Sequence, residues 1–418
     1  MKISEIKPEV FTMAERAQKR CEPRFREIDA VAEANTRRVM AAFQDQKVSD
    51  SCFAGTTGYG YDDLGRETLD KIYAQLFGTE AALVRVQFVN GTHALTAAMF
   101  SLAKPGETVL AVTGTPYDTL RTAIGLSGDA FGSLKFYGIH YAQVDLASDG
   151  GPDYAAIRAA AADKKVTGVM IQRSRGYEDR KALTVEEIGE ICKAVREVNP
   201  GANIMADNCY GEFTDVLEPT HVGADIIAGS LIKNPGGGIA PTGGYVAGKK
   251  ELVERAAMRL TTPGIGGECG STLGNNRLLF QGLFLAPHTV AQALKTAVFC
   301  AAMMEELGVE TSPTVEEKRS DIIQMVKLGS PERMKRFCLG IQAGAPVDSF
   351  VTPEPWTMPG YDCPVIMAAG AFIQGSSIEV SADGPIREPY TVYMQGGLTY
   401  ESGKLGIMMA VSAMLDKE

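Results

Sequence analysis

Lys233 stands in the segment Gly229-Ser230-Leu231-Ile232-Lys233-Asn234 and is followed by Pro235-Gly236-Gly237-Gly238. Upstream, Asp207 ends the apolar run Asn203-Ile204-Met205-Ala206-Asp207, and a second apolar run, Ala224-Asp225-Ile226-Ile227-Ala228, lies between the two. Short apolar runs of this kind read as buried strands. An acid at the end of one strand and a lysine just past the next is what pyridoxal phosphate chemistry needs. The amine forms a Schiff base and the carboxylate partners the pyridinium nitrogen. Each residue also has an ordinary alternative. A buried carboxylate needs a partner, and a helix N-cap or an arginine serves as well as a pyridine. A lysine near a turn is most often a solvated surface charge.

Their neighbours along the chain strengthen the chemical reading. Val89-Asn90-Gly91-Thr92-His93-Ala94 follows a strand and opens a helix. Gly91 lets backbone approach a ligand closely, the helix start offers amide donors to an anion, and Thr92 adds a hydroxyl. By itself the turn is equally an ordinary N-cap. Tyr117, in Thr115-Pro116-Tyr117-Asp118-Thr119, follows another strand and could stack on a planar ring. A half-buried turn tyrosine is the alternative. Ser230, three residues before Lys233, is a second candidate phosphate donor. No G-x-G-x-x-G follows a strand here, so a dinucleotide is not favoured. His93, His140, His221 and His288 form no constellation, and Cys209 beside Asp207 reads as packing.

Elements that could position these residues are visible in the pattern. Residues 9–47 read as helix, a Gly/Tyr/Asp-rich loop runs from Ser51 to Gly65, and a helix begins near Arg66. Apolar runs then alternate with helices: 82–89, 108–113, 166–172, 203–207, 225–228 and 244–247. Such alternation argues for a parallel sheet covered on both faces. The helix at 184–198 opens with a capping box, Thr184 and Glu187. A long helix is expected from Pro287 to Leu307. Beyond it the pattern is α+β, with strands near 309–312, 347–352, 365–374 and 376–381 and a helix near 331–343. The expected domains are an N-terminal helical arm (1–50), a large domain (51–290) and a small C-terminal domain (291–418).

Composition bounds the partners. The chain has 418 residues, of which 45% are hydrophobic and 22% charged, enough for a large core. Its net charge is −10, with 41 basic and 51 acidic residues, which argues against nucleic-acid or acidic-membrane surfaces. Eight cysteines include no C-x-x-C pair, so neither a zinc site nor a dithiol motif is suggested, and their usage fits a reducing cytoplasm. The first residues show no apolar signal core, and no apolar stretch is long enough to cross a bilayer. A cytoplasmic location is expected.

The set Gly91, Thr92, Tyr117, Asp207, Ser230 and Lys233, in this order, resembles the aspartate aminotransferase-like fold (fold type I) of pyridoxal 5'-phosphate enzymes. The chain is similar to the cystathionine/methionine lyases. Within them it most resembles a divergent branch, the methionine gamma-lyase or aluminium resistance protein family. Segments 59–66, 171–177, 230–238, 262–268, 280–287 and 386–390 carry this resemblance across most of the chain.

The resemblance implies an α/β fold, with a mostly parallel seven-stranded sheet in the large domain and a smaller α+β C-terminal domain. It implies that Lys233 is the Schiff-base lysine and the base, and that Asp207 holds the ring nitrogen protonated. Gly91, Thr92 and Ser230 would hold the phosphate, and Tyr117 would stack on the ring and protonate a departing thiolate. Relatives carry a Tyr-x-Arg pair that reaches the neighbouring subunit's phosphate. Here the stretch reads Tyr59-Gly60-Tyr61, so the arginine is absent and Tyr61 is a candidate replacement. The substrate carboxylate needs an arginine clamp. Arg387 is the candidate, with a surface ion pair to Glu388 or Asp383 as the alternative, and Arg175 stands second. The metal in the family label has no visible site.

The implied reaction is carbon–sulfur elimination from cystathionine, methionine or a cysteine derivative, giving thiol, ammonia and a 2-oxo acid. Lys233 would act as a desolvated amine with a lowered pKa. Relatives that eliminate at the γ-carbon often carry a cysteine just after the stacking tyrosine, where this chain has Asp118 and Thr119. Transamination, aldol cleavage, racemisation and a cofactor-binding protein without turnover are the alternatives. A homodimer or homotetramer with shared sites is expected.

Overall fold

A computed structural model describes residues 2–127, 131–357 and 363–415. The chain begins with α1 (Pro8–Asp45) and α2 (Leu64–Leu76). Strands and helices then alternate: β1 (Ala81–Arg85), α3 (Gly91–Leu102), β2 (Thr108–Ala111), α4 (Asp118–Ile124), β3 (His140–Gln143), α5 (Tyr154–Ala161), β4 (Val166–Gln172), α6 (Val185–Val198) and β5 (Asn203–Asp207). β6 (Ile226–Ser230), β7 (Gly244–Gly248) and α7 (Lys250–Leu260) complete the series. The remainder is α8 (Asn276–Glu306), β8 (Glu310–Ser312), β9 (Ile323–Lys327), α9 (Pro331–Ala343), β10 (Val365–Ala369), β11 (Ser381–Pro385), β12 (Thr391–Gln395) and α10 (Tyr400–Met414).

These elements form two compact units, one of residues 35–284 and one of residues 1–34 with 285–418. The first holds a seven-stranded sheet in the order β1-β7-β6-β5-β4-β2-β3. Only β7 runs against its neighbours; β2 to β6 pair in parallel. Successive strand residues face opposite sides of a sheet. Met170, Met205, Ala228 and Val246 join α3 and α7 in one apolar cluster. Ile204, Ala206 and Ile227, of the opposite parity, are also buried. Both faces are therefore covered, which is why these strands read as continuous apolar runs. The second unit holds an antiparallel sheet in the order β10-β11-β12-β9-β8.

The mostly parallel seven-stranded α/β sheet agrees with the sequence reading. So does the capping box of α6, in which Glu187 N donates to Thr184 Oγ1 and Thr184 N to Glu187 Oε2. Several expectations are corrected. β3 was not foreseen: its segment His140-Tyr141-Ala142-Gln143 is a half-exposed edge strand with no apolar run. α8 starts at Asn276 and carries Pro287 inside it, so that proline is not a helix start. No strand forms at 347–352. The expected strand at 376–381 is displaced to β11, and β9, β12 and α10 were not anticipated.

Candidate active site

Parallel pairing brings the ends of β4, β5 and β6 into line. Gln172 registers with Asp207, and Asp207 with Ala228, so the chain after each strand emerges at one edge of the sheet. Ligands in open α/β sheets bind there. Asp207 is buried, and its Oδ1 accepts the backbone N–H of Cys209 at 3.0 Å. Burial pushes its carboxyl pKa up, while the Cys209 amide and the Lys233 charge pull it down, with a net rise.

Past β6, Lys233 places Nζ 3.8 Å from the centroid of the Tyr210 ring. The lowered pKa expected for this lysine is not found. Burial pushes it down, but Cys209, Tyr210 and Tyr117 around the amine outweigh burial and raise it. The walls of the site are hydroxyl, thiol and carboxyl groups rather than hydrocarbon, and such walls favour the ammonium.

The start of α3 faces the end of β6. Asn90 caps the helix, its Oδ1 accepting His93 N–H at 2.9 Å. A Cβ on Gly91 would lie 3.2 Å from Ser230 Cβ and 3.6 Å from Cys209 Sγ, so the space beside the helix start is kept by glycine. Ser230 is buried, and its Oγ has no hydrogen-bond partner. Thr92 Oγ1 lies 3.1 Å from Tyr117 Oη and 3.1 Å from Thr119 Oγ1. Tyr117 caps α4, and its N–H donates to Gln172 Oε1 at 3.0 Å. Burial, then the charge of Asp207, pushes the Tyr117 phenol up, so it stays protonated. His93 belongs to the helix start, where Nδ1 accepts Val89 N–H at 3.3 Å.

Lys233, Asp207, Ser230, Gly91, Thr92 and Tyr117 are thus gathered at one sheet edge. Tyr59 and Tyr61 lie on an exposed loop, 74% and 58% accessible, with rings 5.8 Å apart. Arg66 anchors that loop through the carbonyls of Gly60, Glu268 and Gly270. Arg175 follows β4 and its side chain is fully buried. Arg387 is exposed on the turn after β11, in the other compact unit.

Three groups on and behind the segment after Asp207 carry no distinctive pattern in the sequence. Arg173 is fully buried; it donates to Asn208 Oδ1 at 2.7 Å and Thr214 Oγ1 at 3.1 Å, and pairs with Glu218 at 3.4 Å. Glu212 is buried, accepts Tyr245 O–H at 2.8 Å, and burial pushes its carboxyl up to about 8. Tyr210 lies under the lysine amine. Asn208-Cys209-Tyr210 directly follows Asp207, and that adjacency was the available signal.

The residues fit pyridoxal 5'-phosphate. An unpartnered serine hydroxyl, a glycine-lined helix start and Thr92 suit its phosphate; a buried carboxylate suits its ring nitrogen; a lysine amine suits its aldehyde.

A model of the family described as Methionine gamma-lyase matches residues 10–415. The uncharacterized protein YnbB of Bacillus subtilis (strain 168) is 50% identical over 394 residues, covering 94% of this chain and 93% of that protein. The crystal structure of a carbon-sulfur lyase involved in aluminum resistance from Clostridium novyi NT matches with TM-score 0.94 at 52% identity, over 98% of this chain and 96% of that one. The pyridoxal-5'-phosphate dependent protein YhfS of Escherichia coli shares the fold at 17% identity, with TM-score 0.61 over 91% and 95% of the two chains. The cofactor is pyridoxal 5'-phosphate on a fold type I scaffold, and the chain belongs to the methionine gamma-lyase family of cystathionine/methionine lyase-like proteins.

Proposed function

We propose that this protein is a carbon–sulfur lyase that releases a thiol from a sulfur amino acid (cystathionine, methionine or a cysteine derivative), with a 2-oxo acid and ammonia as the other products. The observation that carries this reading is the convergence of an amine, a buried carboxylate and a protonated phenol at one sheet edge: Lys233, Asp207 and Tyr117.

When bound, pyridoxal phosphate supplies an electron sink for the charge left at the substrate α-carbon. Asp207 would partner the ring nitrogen of the cofactor, and the Cys209 amide holds one of its oxygens. Lys233 Nζ takes the α-proton. Tyr117 Oη, held protonated by burial and oriented by Thr92, donates its proton to the departing sulfur. Gly91, Thr92 and Ser230 bind the phosphate, and Tyr59 and Tyr61 reach from their exposed loop to the phosphate site of a second copy. Arg387 binds the substrate carboxylate. Arg175, which follows β4 and is fully buried, stands as the second candidate. The cysteine that γ-eliminating relatives often carry after the stacking tyrosine is replaced here by Asp118 and Thr119, and Thr119 Oγ1 lies beside Thr92 Oγ1. The protein works in the cytoplasm as a homodimer or homotetramer. Among the described residues no helix is long and apolar enough to cross a membrane.

The test is thiol, ammonia and 2-oxo acid release from a panel of sulfur amino acids, with the visible absorption band of the lysine-bound cofactor recorded alongside. Lys233→Ala is expected to lose both band and turnover. Conversion of the cofactor to its amine form by amino acid alone, without thiol release, would turn the reading to transamination.

A further inference from the structure

Tyr210 occupies a backbone conformation that tyrosine rarely adopts. Its φ is +71°, and Phe213, three residues on, has φ +62°. Bulky residues in the left-handed region are outliers, and such strain persists only where surrounding contacts enforce it. The contacts here are buried and polar. Asn208 N–H donates to Ala228 O at 3.2 Å, and Asn208 Nδ2 to Glu218 Oε2 at 2.9 Å. Arg173 holds Asn208 Oδ1, and Phe213 N–H donates to Glu218 Oε1 at 2.9 Å. A Cβ on Gly211 would lie 2.5 Å from Arg173 Cδ, so the next residue must be glycine for the turn to close over the arginine. A glycine or asparagine at position 210 would make the same turn with less strain. Above the Tyr210 ring sits Lys233 Nζ, 3.8 Å from the centroid.

We propose that Tyr210 is a positioning residue for Lys233: its ring face is the seat of the lysine amine whenever that amine is not bonded to the cofactor. The substrate amino group must take the place of the lysine, and the released amine must then stay close enough to move protons. A carboxylate would hold the ammonium but also compete for its proton. The ring face of Tyr210 attracts the cation, and its hydroxyl adds a hydrogen bond to the amine. The groups that face Lys233 divide accordingly. Asp207 ends β5 and Cys209 follows it, Glu212 lies further along the same segment, and Tyr117 comes from the cap of α4. Among the described residues, Tyr210 presents its ring face to the amine, 3.8 Å from centroid to Nζ.

This inference rests on Lys233 being the cofactor lysine. Lys233→Ala decides that point separately, because its effect is on the visible band rather than on the seat of the amine. The seat is tested in full-length cofactor-free protein with Tyr210→Phe, which keeps the ring, and Tyr210→Asn, which suits the left-handed backbone but has no ring. With ¹³C-labelled lysine, the ε-CH₂ protons of Lys233 are expected to be shifted upfield by the ring in the parent and in Tyr210→Phe. In Tyr210→Asn they should return to the ordinary lysine position. The pH profile for uptake of added pyridoxal phosphate, which needs the neutral amine, should move by roughly one unit to lower pH in Tyr210→Asn and by clearly less in Tyr210→Phe, which loses only the hydroxyl. A Tyr210→Asn protein that melts like the parent and keeps both the upfield signal and the profile would overturn the proposal. So would a Tyr210→Phe protein that behaves like Tyr210→Asn. Should Tyr210→Asn not fold, Tyr210→Phe alone decides: a retained upfield signal supports the ring seat, and its loss refutes it.

Discussion

Thr92 Oγ1 and Tyr117 Oη lie 3.1 Å apart, joining the first turn of α3 to the cap of α4. The link places a phenol beside the helix start that suits a phosphate. Burial keeps that phenol protonated well into the alkaline range. Tyr117 is therefore poised as a proton donor throughout the neutral range.

Tyr117→Phe removes the donor and keeps the ring. Thiol release is expected to fall by roughly 10²–10⁴-fold while the cofactor band remains, since general acid catalysis is worth about that much. Steady-state kinetics with a good thiol substrate and an absorption spectrum of the same sample provide the check. An unchanged kcat would remove Tyr117 from the proton path.

Glu212 gives a stability signature with a defined sign. Its carboxyl is raised from an ordinary 4.5 to about 8 in the folded chain. Between those values the folded state keeps a proton that the unfolded state has released. Stability contributed by this group therefore falls as pH rises from about 4.5 towards 8, by at most about 1.4 kcal/mol per pH unit. Glu212→Gln mimics the neutral acid and can still accept from Tyr245, so it should flatten that slope. Urea melts of the cofactor-free protein across this window measure it.

Removing Arg173 leaves Glu218 buried without its cation. Arg173→Leu is expected to destabilise the protein by about 3–5 kcal/mol, the usual loss on breaking a buried pair from one side. The midpoint of chemical denaturation reports this directly. The turn carrying Asp207 and Tyr210 depends on the same arginine through Asn208, so cofactor affinity should weaken as well.

Arg387→Ala separates the two candidate clamps. If its guanidinium binds the substrate carboxylate, KM rises roughly ten- to hundredfold with the cofactor band intact, because charged hydrogen bonds carry that much binding. Arg175→Ala, which empties a buried site, is expected to lower the melting temperature, and a rise in KM in that variant alone would move the clamp to Arg175. Comparing KM and melting temperature for both variants tells the roles apart.

Much of the fold was legible because both sheet faces are covered. Buried strands such as β4, β5 and β6 show as uninterrupted apolar runs, and α6 announces itself by Thr184 and Glu187. β3 escaped because an edge strand with one neighbour needs no apolar run. Pro287 misled because proline favours helix starts, yet α8 continues through it.

Of the site, Lys233, Asp207 and the Gly91-Thr92 turn could be named from the sequence, because each is a chemically distinctive residue at a strand end or helix start. Residue type and local periodicity determine that much. The Tyr210 seat, the protonated Glu212 and the Arg173–Glu218 pair were decided only by tertiary structure. Arg173 and Glu218 are separated by the whole of α6 and β5 and mean nothing to each other until parallel pairing brings them together. The pKa of Lys233 likewise depends on which hydroxyl and thiol groups folding gathers around its amine, and no local pattern encodes that environment.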